Sequence, residues 1–93
     1  MANIDIYNLQ VGQIVFSKSG RDKTLPFIVV KAECDYLWLV NGQQRRLEKP
    51  KMKKLRHVQP TKIIVTEISD KIISNKQLTD AEFKKALDQY MTT

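Results

Sequence analysis

Up to about residue 60 the apolar residues come in short β-branched and aromatic runs cut apart by turn residues, and this pattern restricts the fold more than any other. Gly12 precedes Ile14-Val15-Phe16, which gives way to the polar stretch Lys18-Ser19-Gly20-Arg21-Asp22-Lys23-Thr24. Pro26 then opens Phe27-Ile28-Val29-Val30-Lys31-Ala32, and proline suits the first position of a strand, where its missing N–H costs least. After Glu33-Cys34-Asp35 comes Tyr36-Leu37-Trp38-Leu39-Val40. Such runs are strands, because helical apolar positions recur three and four residues apart. Asn41-Gly42 predicts a two-residue hairpin, since both residues tolerate the positive φ of a type I′ turn. Gln43 to Leu47 is then expected to return antiparallel, with a last short strand between Lys53 and Val58. Four to five short strands with tight turns imply a small, strongly bent β-barrel, since closure removes free edges.

A barrel over residues 1–60 has a small core, so packing against the remainder, residues 61–93, is expected. There the period changes. Thr79 and Glu82 have the spacing of a capping box, while Leu78 and Phe83 occupy the positions of a hydrophobic staple. A helix is predicted over about 80–91, with Phe83, Ala86, Leu87, Tyr90 and Met91 on one apolar face. That face either covers the barrel or meets a partner protein. Between the two parts, Thr61 to Asn75 reads as an extended piece turning into a helix near Glu67. The chain is thus mainly β with a C-terminal α extension.

Ninety-three residues suit one domain of ordinary globular composition. The start, Met1-Ala2-Asn3-Ile4-Asp5, has neither a basic n-region nor an apolar h-region, and no apolar run approaches the ~20 residues that span a bilayer. A cytoplasmic protein without membrane contact is expected. The single Cys34 cannot form an internal disulfide and reads as a small, half-buried side chain. One His, one Cys and scattered carboxylates assemble no nucleophile and base, no metal-ligand set and no phosphate-cradling loop. The expectation is a non-enzyme without metal or cofactor.

Charge supplies the functional signal. Residues 1–42 hold four Lys/Arg and four Asp/Glu, residues 43–62 eight against one, and residues 63–93 four against five, so the net +6 sits in one segment. Its dense part comprises Arg45, Arg46, Lys49, Lys51, Lys53, Lys54 and Arg56, closed by His57. Positive charge gathered beside neutral chain is the footprint of a polyanion-binding protein, and nucleic acid is the first candidate. Leu47, Pro50, Met52 and Leu55 give the run apolar footing, which lets the backbone pack while Lys and Arg stems project. The first loop adds Lys18, Arg21 and Lys23 around Gly20. His57 has two uses open to it, touching phosphate or base, or closing a strand end without a ligand.

Unpaired RNA bases stack on aromatic rings and guanidinium planes. Tyr36 and Trp38 share one side of their strand, and Leu37 and Leu39 share the other, so only one set can fill a narrow barrel. A two-residue turn sets Trp38 opposite Arg45, and a three-residue turn sets it opposite Arg46. Trp38 either covers the C-terminal helix or stacks a base.

Val11-Gly12-Gln13-Ile14-Val15, Ser19-Gly20-Arg21-Asp22-Lys23, the Phe27 to Val30 strand and Asn41-Gly42 together resemble the KOW motif, a glycine-punctuated β-loop-β unit of ribosomal proteins and transcription elongation factors. The continuation Gln44-Arg45-Arg46-Leu47-Glu48-Lys49-Pro50-Lys51-Met52-Lys53-Lys54-Leu55-Arg56-His57 is similar to small bacterial KOW-domain RNA-binding proteins, which are themselves similar to KOW-containing large-subunit ribosomal proteins of archaea and eukaryotes. The likeness covers about residues 11–60, and more loosely Leu78 to Leu87. Where the motif's loop usually carries a second glycine after its lysine, this chain has Thr24. The resemblance implies an SH3-like barrel and ribosomal RNA as ligand, in a ribosome-associated or ribosome-assembly protein. An adapter docking on ribosomal or transcription machinery through helix 80–91 is the alternative. Double-stranded DNA is less favoured, because no recognition helix carries the charge.

Overall fold

The computed structural model describes residues 9–20 and 23–91. Five strands, β1 (Gln13–Ser17), β2 (Pro26–Glu33), β3 (Tyr36–Val40), β4 (Lys51–Lys54) and β5 (Val58–Ile64), precede α1 (Thr66–Ile73) and α2 (Asp80–Met91). The sheet is antiparallel throughout, in the order β4-β3-β2-β1-β5. A 3-10 turn at Leu55–His57 carries the chain from one edge strand of this order to the other, as expected of a small SH3-like barrel.

The middle of β1 and the first half of β2, up to Val30, are apolar on both faces because both faces are covered there. Val15, Phe27, Val29, Leu37, Leu39, Leu55 and Val58 form the inner cluster. Their strand neighbours Ile14, Ile28 and Val40 point the other way and join Val65, Ile68, Phe83, Ala86 and Leu87 in a second cluster under the helices. The apolar face of α2 therefore covers the sheet, with Phe83 fully buried. Its capping box forms as predicted: Glu82 Oε2 accepts from the Thr79 N–H at 2.9 Å, and the Glu82 N–H reaches Thr79 Oγ1 at 3.4 Å. The other carboxylate oxygen of Glu82 takes the Lys71 ammonium, which joins α1 to α2. This hydrogen bond from Lys71, aided by Thr79, holds the Glu82 carboxyl below its ordinary 4.5.

Two glycines make room for the helices. Gly12 has φ +88, and a Cβ there would lie 2.6 Å from the Ser69 Cβ on α1. Gly42 has φ +81, and a Cβ there would lie 2.4 Å from the Asp80 carbonyl oxygen at the start of α2. No helix among the described residues is long and apolar enough to cross a membrane.

Three local expectations are corrected. Asn41-Gly42 does not form a two-residue hairpin, and Gln43 to Leu47 is not a strand: β3 and β4 are joined by a loop spanning residues 41–50. A type I′ turn needs positive φ at both central residues, and only Gly42 has it. Asn41 is instead buried, and its Oδ1 accepts from the N–H groups of Gln43 and Arg45, both at 3.0 Å, so it wraps the chain into a compact turn. Asp80 Oδ1 then accepts the Leu47 N–H at 2.7 Å and pins the loop to α2. Secondly, Lys53 to Val58 is not one strand. β4 ends at Lys54, the 3-10 turn follows, and β5 begins only at Val58. Thirdly, Cys34 is exposed at the β2–β3 turn, with φ +54.

Candidate nucleic-acid interface

Strand alternation divides the basic run. In the β3–β4 ladder Lys51 pairs with Leu39 and Lys53 with Leu37, whereas Met52 pairs with Trp38 and Lys54 with Tyr36. Leu37 and Leu39 face the inner cluster, so Lys51 and Lys53 lie on that side and Met52 and Lys54 on the outer one. Lys53 is only 9% exposed, and its ammonium donates to the Ser19 carbonyl at 3.2 Å. It is a tether for the first loop. Lys51 is half-buried, while Lys54 is exposed on the outer face.

A first group of cations gathers where that loop meets the 3-10 turn. The Lys18 N–H donates to the His57 carbonyl at 2.9 Å, and the Leu55 N–H donates to the Asp35 carbonyl at 2.7 Å. These bonds bring Lys18, Lys23, Lys54 and Arg56, all exposed, to one end of the barrel, with His57 half-buried among them. Arg21 lies outside the described residues. The loop turns through Thr24, whose φ of +73 is the conformation glycine adopts most readily. Its N–H donates to the Ser17 carbonyl at 2.8 Å.

Arg45, Arg46 and Lys49 form a second group, on the 41–50 loop at the far end of β4. Four strand residues, or roughly 13 Å, separate the two groups. Arg46 and Lys49 are exposed and Arg45 is half-buried. Among the described residues Lys18, Lys23, Arg45, Arg46, Lys49, Lys54 and Arg56 form no ion pair with an acid; the ion pairs present are Lys31–Glu33, Lys71–Glu82 and Lys84–Asp88. Positive charge is therefore available at both ends, on two patches rather than one.

The outer face of β2, β3 and β4 carries a feature the sequence did not disclose. Trp38 lies opposite Met52 on one side, not opposite Arg45 or Arg46, because the hairpin that would have set that register does not form. On its other side stands Lys31, with Nζ 4.7 Å from the indole centroid. Lys31 reaches this face through a register shift: Val29 pairs with Leu39 but Lys31 with Trp38, so one residue, Val30, is accommodated as a bulge. Without it Lys31 would fall on the inner face with Phe27 and Val29. A second row holds Glu33, Tyr36 and Lys54, with Lys54 Nζ 6.0 Å from the Tyr36 ring. Cation–π contacts at such exposed sites contribute about 0.5–1 kcal/mol each. Trp38 and Tyr36 belong to neither buried cluster, so Trp38 does not cover α2. Met52 is 55% exposed beside it.

Helix α2 turns a polar side outward, including Lys84, Lys85 and Asp88, since Phe83 and Leu87 are taken by the sheet. An open groove of about 340 Å³ runs between α1 and α2, floored by Ile68 and Ala86 and edged by Glu67, Lys85 and Tyr90. No three His, Cys, Asp or Glu side chains among the described residues converge to hold a metal ion. Compared with protein-family models and with curated proteins, the chain matches none.

Proposed function

We propose that this protein is a non-catalytic RNA-binding module for structured RNA, acting in the cytoplasm, with ribosomal RNA as the favoured ligand. The observation that carries the reading is the end of the barrel where Lys18, Lys23, Lys54 and Arg56 are exposed with no acid among the described residues paired to them. A polyanion recovers there the Coulombic energy that internal acids would otherwise absorb. Arg45 and Arg46 on the far loop add planar guanidinium groups suited to bidentate phosphate contact. The likeness of residues 11–60 to small KOW-domain RNA-binding proteins supports RNA over duplex DNA. A role at the ribosome follows from that likeness.

The test is a salt titration of binding to a structured ribosomal RNA fragment. Each phosphate contact adds roughly 0.7 to 0.9 to the slope of log affinity against log salt. Replacing Lys18, Lys54 and Arg56 by Ala together is expected to weaken binding at least tenfold at moderate salt and to lower the slope by about two to three. Lys53 is left intact, because its ammonium holds the first loop. An unchanged slope with unchanged affinity would remove this surface from consideration.

A further inference from the structure

We propose that the outer face of β2, β3 and β4 is a stacking platform for two consecutive unpaired nucleotides of an RNA strand, one base on Trp38 and the next on Tyr36, with Lys31 and Lys54 on the flanking phosphates. The inference rests on the RNA-binding reading above and deepens it, because it specifies single-stranded rather than helical RNA at this part of the surface.

The two rings stand two residues apart on one side of β3, a separation of about 6.7 Å along the strand. That is twice the ~3.4 Å rise of a stacked strand, so neighbouring bases reach both rings only when the backbone is unstacked and drawn out. A duplex keeps its bases paired and hidden from such a surface, whereas loops and bulges splay them. The surroundings are chosen for the same ligand. Met52, more than half exposed beside Trp38, widens the apolar ledge without adding charge. Lys31 and Lys54 each stand over one of the two rings, and the only acid in the two rows, Glu33, lies against Lys31 at 3.6 Å. The bulge at Val30 is what brings a lysine to the indole at all. Lys31 and Glu33 are both about 60% exposed, so the lysine is free to leave the ring for a phosphate as a base takes its place. Lys54 also belongs to the cationic end of the barrel, so the platform runs continuously into it.

Trp38 is the chain's one tryptophan, so intrinsic fluorescence reads this face alone. The full-length protein would be titrated with single-stranded oligouridylate, with an RNA duplex of equal length and with a proline-rich peptide, following tryptophan emission and ligand anisotropy together. Oligouridylate is expected to quench Trp38 and the duplex to leave it unchanged. Trp38→Ala should cost oligouridylate about 5- to 150-fold in affinity, the ~1–3 kcal/mol of one stacked base, with Trp38→Phe closer to the parent. Quenching of the unaltered protein needs no variant, so a misfolded Trp38→Ala leaves the test intact. Binding of oligouridylate by anisotropy with silent tryptophan emission would overturn the platform while leaving the RNA-binding reading standing. Failure of both RNAs to bind at low salt would overturn both. Quenching by the peptide but not by oligouridylate would overturn the platform in favour of a protein ligand.

Discussion

At the scale of single residues, the backbone is bent where side chains make it costly. Thr24 holds a φ of +73, a region that costs an ordinary L-residue about 1–2 kcal/mol, and a β-branched side chain tolerates it least. Thr24→Gly relieves that strain but loosens the unfolded chain by about 0.5–1 kcal/mol. The net expectation is a gain of about 0.5–1 kcal/mol, read as a higher urea midpoint at unchanged m-value; a loss would show that the threonine contributes contacts of its own. Gly42 was legible as a turn residue, but the reason for it, like the reason for Gly12, was not. Each lies under a helix that the local sequence does not mention. Lys53 teaches the same lesson about charge. It is one of seven like cations in the run 45–56, yet pairing with Leu37 sends it inward to Ser19, while its neighbour Lys54 goes out.

At the scale of elements, α2 was the most legible part of the chain, because capping box, staple and apolar spacing are all local signals. Its boundaries and buried face came out as expected. What no local signal carries is that Glu82 also clamps Lys71 of α1, which makes one carboxylate both cap and inter-helix tie. Because its pKa is depressed in the fold, its contribution is present above its ordinary 4.5 and lost as pH falls below that value through the lowered one. Glu82→Gln is expected to cost about 0.5–1 kcal/mol at pH 7 in urea unfolding, with parent and variant converging as the pH falls below 4.5 through the lowered value. A gap that persisted in acid would assign the loss to packing rather than to charge. The β3–β4 connection shows where element-level reading fails. Asn-Gly is a hairpin signal only while the asparagine spends its side chain on nothing else, and here Asn41 Oδ1 is committed to Gln43 and Arg45.

At the scale of the whole molecule, the barrel and the C-terminal extension share one core. The radius of gyration, 12.1 Å, matches the ~12 Å of a compact single body of this length. Ile14, Ile28 and Val40 are fully buried in the cluster that Phe83 and Leu87 complete. A chain ending at residue 75 bares them, and is expected to show no cooperative thermal transition and collapsed amide dispersion by NMR; a folded fragment would mean that the inner cluster alone sustains the barrel. Composition and periodicity by themselves determined the strand-rich body, the terminal helix and the concentration of positive charge in residues 43–62, because each is a property of neighbours in sequence. Only the tertiary structure decided which cations reach solvent, how they fall into two groups, and that a bulge at Val30 sets Lys31 beside Trp38. Those outcomes depend on strand register and on which face a helix covers, and a one-residue shift in pairing reverses them without altering a single local preference.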